Sequence, residues 1–316
     1  MIKLGNNDIS LKLGNDTVDA VYLGNTLVYS GGTPPTPPVP PHDYSQDFLT
    51  FVAKESGTFK LSGNSASYSL DSGSTWTTLA SNTSTPTVNV GDKIMWKATL
   101  TPSSSTGIGR FSSTGQFDAE GNAMSLLYGD NFIGVTDLTG KGNAFRDLFR
   151  GCTRMTSAEN LSLPATTLAN YCYLAMFGNC TSLTTAPELP ATTLAGFCYQ
   201  AMFGGCTSLT EAPVLSATTL ASGCYQYMFN GCTSLTEAPE LPATTLTYGC
   251  YRNMFSSCTN LNYIKCLATN INARDCTSDW VTGVSNSGTF VKAANMSSWT
   301  TGNNGIPNNW TVQDNV

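Results

Sequence analysis

Few side chains in this sequence could carry acid–base or metal chemistry. His42 is the single histidine among the 316 residues and lies beside a run of prolines, so no folded domain supplies an imidazole as general base or zinc ligand. Hydrolases that work through Ser-His-Asp, Cys-His or zinc-bound histidine are therefore excluded. We expect a protein that is not an enzyme and that uses neither a metal nor a cofactor.

The eleven cysteines occur in two regular series. Two cysteines of one repeat lie eight residues apart, about 12 Å along a helix, which is too far for a disulfide. Disulfides between neighbouring repeats and a metal site stay open as alternatives, but buried free thiols are favoured because cysteine packs as a small apolar side chain. One series is Cys152, Cys180, Cys206, Cys232 and Cys258, the other is Cys172, Cys198, Cys224, Cys250 and Cys276, and Cys266 belongs to neither.

Glutamates recur at two positions of the repeat. Glu211 and Glu237 share one position, and Glu188 and Glu240 share another. Neighbouring copies would lie about 5 Å apart in a parallel sheet, close enough for calcium to bridge them. Calcium takes about six to eight oxygen ligands, more than either row supplies, so solvated surface carboxylates are the favoured interpretation.

Otherwise near-identical repeats differ at a few positions that flank a predicted helix. Exposed aromatic side chains beside amides and arginine can hold sugars through stacking and hydrogen bonds to hydroxyls. Neutral drift at solvent positions would give the same variation. The candidate strip consists of Tyr171, Phe197, Gln200, Gln226, Tyr227, Tyr248 and Arg252.

These residues belong to a repeat with a period of 26, whose clearest copies begin at Tyr171, Phe197 and Gly223. Cys-Tyr-x-x-Met-Phe-x-x-Cys places apolar residues at i, i+4 and i+8, which predicts a helix with that face inward. The stretch that follows alternates apolar and polar residues between prolines and predicts a short strand. About five such coils over residues 139–276 predict a leucine-rich-repeat solenoid in an α+β protein.

The repeat resembles BspA-like leucine-rich repeats, in which a helix ending in phenylalanine and cysteine precedes a leucine strand and a Leu-Pro segment. The pattern is present here as Phe177, Cys180, Leu183, Leu189 and Pro190. The resemblance implies a solenoid of helix-and-strand coils. Further copies are Phe203, Cys206, Leu209 and Leu215, then Phe229, Cys232, Leu235, Leu241 and Pro242.

Four further segments surround the repeats. Residues 1–30 contain Leu-Gly-Asn three times and predict a three-strand docking element, followed by a proline-rich linker at 31–42. Residues 43–138 alternate apolar and polar residues and predict an antiparallel β-sandwich. Residues 277–316 predict a cap for the exposed end of the solenoid. The tryptophans of this cap are Trp280, Trp299 and Trp310.

A short motif within the predicted sandwich resembles the Asp-box of sialidases and many other β proteins. In those families the motif is structural, which implies hydrogen bonds between Asp71 and turn amides, an unusual dihedral at Gly73 and an inward-packed Trp76. A single copy without a surrounding arginine triad argues for this structural role rather than for a glycosidase. The motif residues are Ser69, Asp71, Gly73, Thr75 and Trp76.

The composition limits the kinds of partner that the chain is expected to bind. The formal net charge is −6, which disfavours nucleic acid, since phosphate binding requires clustered Lys and Arg. No stretch approaches the roughly 18 apolar residues of a membrane span. The first residues lack the basic and apolar regions of a secretion signal, so we expect synthesis in a reducing cytoplasm with free thiols.

The modules together, with only 11% charged residues, resemble surface and virion proteins of gut Bacteroidales and their tailed phages. The resemblance implies a virion appendage, a tail or head fibre-like protein made in the host cytoplasm that displays its repeats for host attachment. Residues 1–30 would join other virion proteins, a host glycan or surface receptor would be the ligand, and a homo-oligomer is allowed. The alternatives are a BspA-like adhesin on a bacterial cell surface and a glycan-degrading enzyme or its carbohydrate-binding accessory.

Overall fold

Two antiparallel hairpins lie within the first thirty residues. The structure, a computed structural model, describes residues 42–297 and 299–315, together with the strands of these hairpins. Four strands are described where the sequence predicts three, and residues 31–41 of the predicted linker lie outside the described residues. Met1–Asp43 and Tyr44–Val316 are separate compact units. The strands are β1 (Leu11–Leu13), which pairs with β2 (Asp16–Val18), and β3 (Ala20–Leu23), which pairs with β4 (Thr26–Ser30).

Seven short strands follow in the region predicted as a β-sandwich. Buried and partly exposed residues alternate in several of them, as in Phe59–Ser62, so that one face of such a strand enters the core. A four-residue helix, α1 (Ser125–Tyr128), and two short 3-10 helices, Tyr44–Gln46 and Gly129–Asn131, complete the region. The strands are β5 (Leu49–Ala53), β6 (Phe59–Ser62), β7 (Ala66–Ser69), β8 (Thr77–Leu79), β9 (Lys93–Lys97), β10 (Arg110–Ser113) and β11 (Phe117–Asn122).

An aromatic cluster joins two sheets of this region. Strands β11, β5, β9, β7 and β8 are hydrogen-bonded in that order, and β6 pairs with β10 in a separate two-stranded sheet. The ring of Phe51 in β5 lies 4.9 Å from that of Phe111 in β10 and 5.3 Å from that of Phe59 in β6. All three rings are buried, and burial of each contributes about 1.5–3 kcal/mol. This cluster therefore holds the two sheets together.

The larger sheet continues into the first repeat. Strands β12 (Met155–Ser157) and β13 (Leu161–Ser162) both pair in parallel with β11. The predicted antiparallel sandwich is therefore wrong, because the sheet is mixed and takes these strands from the repeats. The predicted boundary between residues 138 and 139 lies inside the unit Tyr44–Val316.

The predicted repeat helix does not form. Residues 139–276, all of which are described, contain turns, short strands and isolated β-bridges but no α-helix. The described chain is mostly strand and coil, with α1 as its one short α-helix. The α+β leucine-rich-repeat solenoid expected from the sequence is therefore wrong, and the i, i+4, i+8 spacing has another physical origin.

Every fourth residue of the supposed helix has a left-handed backbone. In one repeat these residues are Tyr171, Ala175 and Asn179, with φ of 60°, 48° and 59°. A left-handed residue breaks the right-handed turn before it, so the segment becomes a series of four-residue turns, and the buried Cys172 and Met176 recur at that interval. Across the stack, row A is Asn143, Tyr171, Phe197, Gly223, Gly249 and Asp275, row B is Asp147, Ala175, Ala201, Tyr227, Asn253 and Asp279, and row C is Gly151, Asn179, Gly205, Gly231, Ser257 and Gly283.

Hydrogen bonds between repeats replace those of a helix. The N–H of Met176 donates to the carbonyl of Tyr173 (3.2 Å), three residues back, which closes a turn. The N–H of Tyr173 itself donates to the carbonyl of Cys198 in the next repeat (3.0 Å). The same alternation continues along the stack, where Phe203 donates to Met228 (2.9 Å). Because buried N–H groups need partners, each repeat depends on the following one.

Two columns of stacked aromatic rings run through the core. Neighbouring rings lie 5.4–6.2 Å apart and within 21° of parallel. Aromatic pairs add about 0.5–1.5 kcal/mol beyond the burial of their surface. The second column starts on β10, so the sheets and the repeats share one core. The first column is Phe145, Tyr173, Tyr199, Tyr225, Tyr251, Trp280 and Trp299, and the second is Phe111, Phe149, Phe177, Phe203, Phe229 and Phe255.

The stack continues past the predicted start of the cap. Residues Asp275–Gly283 form another turn segment with left-handed positions, and the predicted boundary between 276 and 277 lies inside it. Three strands at the carboxyl-terminal end of the stack pair in parallel, β14 (Tyr263–Cys266) with β15 (Thr289–Ala293) and β15 with β16 (Thr311–Asn315). The carboxyl-terminal residues therefore prolong the parallel ladder.

Replacing Ala201 by glycine should leave stability unchanged or raise it by up to about 1 kcal/mol, because glycine relieves the left-handed strain at φ 52°. In a helix interior the same change would lower stability by about 1 kcal/mol. Chemical denaturation followed by circular dichroism measures the difference. The control is Ala195→Gly, at a position without positive φ, which should be destabilising. A loss of about 1 kcal/mol at position 201 would contradict the turn geometry.

Candidate functional site

One cysteine series forms a column of hydrogen-bonded thiols. Cys180 donates from Sγ to the carbonyl of Phe149 in the preceding repeat (3.0 Å), and Cys206 donates to that of Phe177 (3.1 Å). Each thiol therefore satisfies a buried backbone oxygen as well as filling space between repeats. The equivalent bonds are made by Cys152, Cys232 and Cys258.

All eleven cysteines are buried and unpaired. Loss of solvent raises the pKa of the Cys206 and Cys258 thiols to about 12, and it also raises the pKa of Cys172 well above the ordinary value. The thiolate is the form that attacks electrophiles and binds metals. These thiols stay protonated near neutral pH, so the cysteines act as core residues.

The Asp-box residues form a hydrogen-bonded turn between β7 and β8. The Asp71 carboxylate accepts the N–H of Thr75 (2.9 Å), the hydroxyl of Thr75 (2.6 Å) and the hydroxyl of Ser69 (2.7 Å). These bonds, those from Thr75 above all, lower the pKa of Asp71 to about 2. Gly73 has φ of 86°, and Trp76, which is half-buried, donates from Nε1 to its carbonyl (3.0 Å). The contacts shape the hairpin.

Tyr171 and Phe197 of the candidate strip form a stacked pair in row A. Their ring centroids are 5.2 Å apart and their planes differ by 6°. The Phe197 ring lies over Gly223, the next residue of the row, where any Cβ would clash with it. Left-handed backbone at a residue with a Cβ costs about 1–2 kcal/mol, which Gly223 avoids. Tyr171 and Phe197 adopt the same backbone with a side chain and therefore bear this cost.

The other strip residues lie further along the turn segments rather than in one pocket. Gln200 donates from Nε2 to Oε1 of Gln226 in the next repeat (3.4 Å). The Nε atom of Arg252 is buried and lacks a hydrogen-bond partner. Tyr248 is 44% exposed, and the guanidinium of Arg274 lies 5.9 Å from its ring centroid. The predicted position beside a helix start is wrong, because these segments are turns.

An open groove of about 540 Å³ runs along rows B and C, and we call it the row B groove. Gln200 and Tyr227 of the strip line it, together with two arginines that the sequence did not single out. A signal for them existed, because Arg146 occupies the repeat position of Gln200, and Arg150 occupies that of Asn230. The polar and aromatic lining consists of Arg146, Arg150, Asn179, Gln200, Tyr227 and Asn230.

Two of the four repeat glutamates line a second groove, of about 390 Å³. Glu188 and Glu211 line it beside Val214, which is 75% exposed. Glu240 instead forms an ion pair with Lys265 (3.0 Å). Within the described part of the chain, no group of three or more His, Cys, Asp or Glu side chains is placed to hold a metal ion.

Comparison with known proteins adds no assigned site to this geometry. No protein-family model, curated protein or solved structure matches the chain. Among the residues that the structure describes, no helix has the length and apolar character needed to cross a membrane.

Raising the pH above about 9 should progressively lower the stability of the fold. A thiol whose pKa rises from 9.0 to about 12 keeps its proton in the fold while the unfolded chain loses it, so its stabilisation is full below pH 9 and falls between pH 9 and 12. Each such thiol weakens folding by about 1.4 kcal/mol per pH unit in that window. Melting curves across this range measure the slope.

The double variant Cys206→Ala and Cys258→Ala should release about two fewer protons on unfolding in this pH window, so its unfolding free energy should fall less steeply with pH. Below pH 9 a thiol reagent should label none of the eleven cysteines of the native protein and all of them in denaturant. A melting temperature that stays constant to pH 11 would contradict the burial of the thiols.

Proposed function

We propose that this protein is a non-enzymatic attachment protein that presents the turn rows of its repeat stack to a glycan on a host surface. One observation carries the proposal: aromatic side chains occupy left-handed positions at Tyr171, Phe197 and Tyr227. The equivalent residues Gly223 and Gly249 reach the same backbone without strain. Strain retained at particular positions is a common mark of a binding site.

The chemistry of these positions suits sugars. The rings of Tyr171, Phe197 and Tyr227 are half-buried, so each offers part of its surface to a ligand. Aromatic rings cover the apolar face of a sugar, while amides such as those of Gln200 and Gln226 bond its hydroxyls. Stacked repeats hold these groups at fixed intervals, so little conformational entropy is lost on binding.

A virion is the setting that we propose, with the chain as a tail or head fibre-like appendage. Met1–Asp43 is a unit of its own, which suits a small docking element that joins other virion proteins. Tyr44–Val316 would then be the part displayed toward the host. The low content of charged residues, 11%, agrees with a protein outside the cytosol.

Replacing Tyr171, Phe197 and Tyr227 together by glycine should abolish glycan binding. The change relieves three strained residues but also removes three half-buried rings and the stacking of Tyr171 on Phe197, so these effects oppose each other and the fold should be kept. Binding of the full chain and of the variant to an array of bacterial capsular and surface polysaccharides measures the effect.

The control is the double variant Glu211→Gln and Glu237→Gln, two exposed residues outside rows A, B and C, which should bind as the parent does. Equal binding by the glycine variant would refute the role of the aromatic rows. Loss of binding in the glutamine variant alone would move recognition to the glutamates.

Deleting residues 1–30 should leave a folded protein that no longer enters particles. Tyr44–Val316 is a separate unit with its own core, so its melting temperature should not change. Mass spectrometry of purified virions should find the full chain at a fixed copy number and should not find the truncated one. Recovery of the full chain only in bacterial envelope fractions would instead indicate a bacterial cell-surface adhesin.

A further inference from the structure

We propose that the row B groove binds a linear acidic polysaccharide whose sugars carry carboxylates, an inference that rests on the glycan-binding role proposed above. The groove contains the two arginines, the neutral amides and the one aromatic ring that such a ligand requires. Its charge, its open floor and its periodic spacing each point to the same ligand.

The charge of the groove is opposite to that of the whole chain. The formal net charge is −6, yet Arg146 and Arg150 line the groove and no Asp or Glu is among its lining residues. Arginine binds carboxylates through paired N–H donors in a planar fork. The groove therefore favours an anionic ligand. The rest of this acidic protein would repel the same ligand.

Asp147 offsets only part of this charge. One of its carboxylate oxygens accepts from Arg146 Nε (3.4 Å), and the other accepts from Arg150 Nη1 (3.3 Å). One anion shared by two guanidinium groups leaves a net positive charge. A guanidinium has five N–H donors, so Arg150, with its side chain 49% exposed, retains donors for a ligand.

Glycines keep the groove open between its two ends. Arg150, Gly178, Gly204 and Asn230 occupy one position in four successive repeats. The two middle repeats contribute no side chain there, while the guanidinium and the amide stand at the ends. A ligand can thus lie along the stack axis in contact with the backbone and reach polar groups at both ends.

The interval between repeats suits a sugar chain. The rings that precede these four positions, Phe149, Phe177, Phe203 and Phe229, are 5.6, 5.4 and 5.7 Å apart in succession. Each interval is close to the length of one sugar unit in an extended glycan. Successive sugars would therefore lie over equivalent backbone positions of successive repeats. An extended peptide advances only about 3.3 Å per residue and would fall out of step.

The test compares polymannuronate, an acidic polymer of extended β-1,4-linked sugars, with its methyl ester, which has the same backbone without charge. Isothermal titration of the full chain should show binding to polymannuronate and at least tenfold weaker binding to the ester. Affinity for oligomannuronates should rise with length and level off once the groove is spanned. Polygalacturonate and hyaluronan widen the set of carboxylated polymers.

Arg150→Gln should weaken binding to the acidic polymer about tenfold, since hydrogen bonds to charged groups of this kind contribute on that scale. The matched control is Lys60→Gln, which removes one positive charge in β6 outside the groove and should leave affinity unchanged. An unchanged melting temperature for both variants shows that the fold is kept.

Equal affinity for the charged and esterified polymers, or no effect of Arg150→Gln, would overturn the inference while leaving glycan attachment intact. Failure to bind any of the three carboxylated polymers would overturn it as well, even if neutral glycans bind the array. Failure of every glycan on the array would refute the proposed function itself.

Discussion

A left-handed residue at every fourth position is the constraint on which the repeat stack depends. It ends each right-handed turn after three residues, so that alternate N–H groups point out of the segment toward the next repeat. Those N–H groups donate to carbonyls 25 residues further on. This pairing places the rings of Phe177 and Phe203 5.4 Å apart and brings the aromatic columns and the thiol column into register. The fold is thus held by bonds between repeats, and no repeat could keep its shape alone.

The sequence revealed the period of the stack but not the conformation of its segments. Cys172, Met176 and Cys180 are buried as their spacing predicts, yet that spacing fits both a helix and a series of four-residue turns. The two differ in where the backbone bonds go, and a partner 25 residues away leaves no mark on local periodicity. Asn143 and Asp147, with glycines at many equivalent positions, were the available signal, since these residues tolerate positive φ.

The sequence indicated only some residues of the candidate site. Tyr171, Phe197 and Tyr227 attracted notice because they vary between repeats, and the structure shows that they share a strained backbone as well. Arg146 and Arg150 escaped notice because they lie in the first, irregular copy, where the comparison between repeats is weakest. The groove itself depends on missing side chains at Gly178 and Gly204, and the shape of an empty space cannot be inferred from spacing alone.

The outward N–H groups of one turn segment match the carbonyl groups of the next segment in number and spacing. This match allows whole repeats to be added or removed. A whole 26-residue unit inserted between two others would present the same edges on both sides and extend every column by one ring. Unequal recombination among near-identical coding segments can therefore lengthen or shorten the molecule without opening its core. The number of repeats then sets the length of the stack, which changes in steps of one repeat.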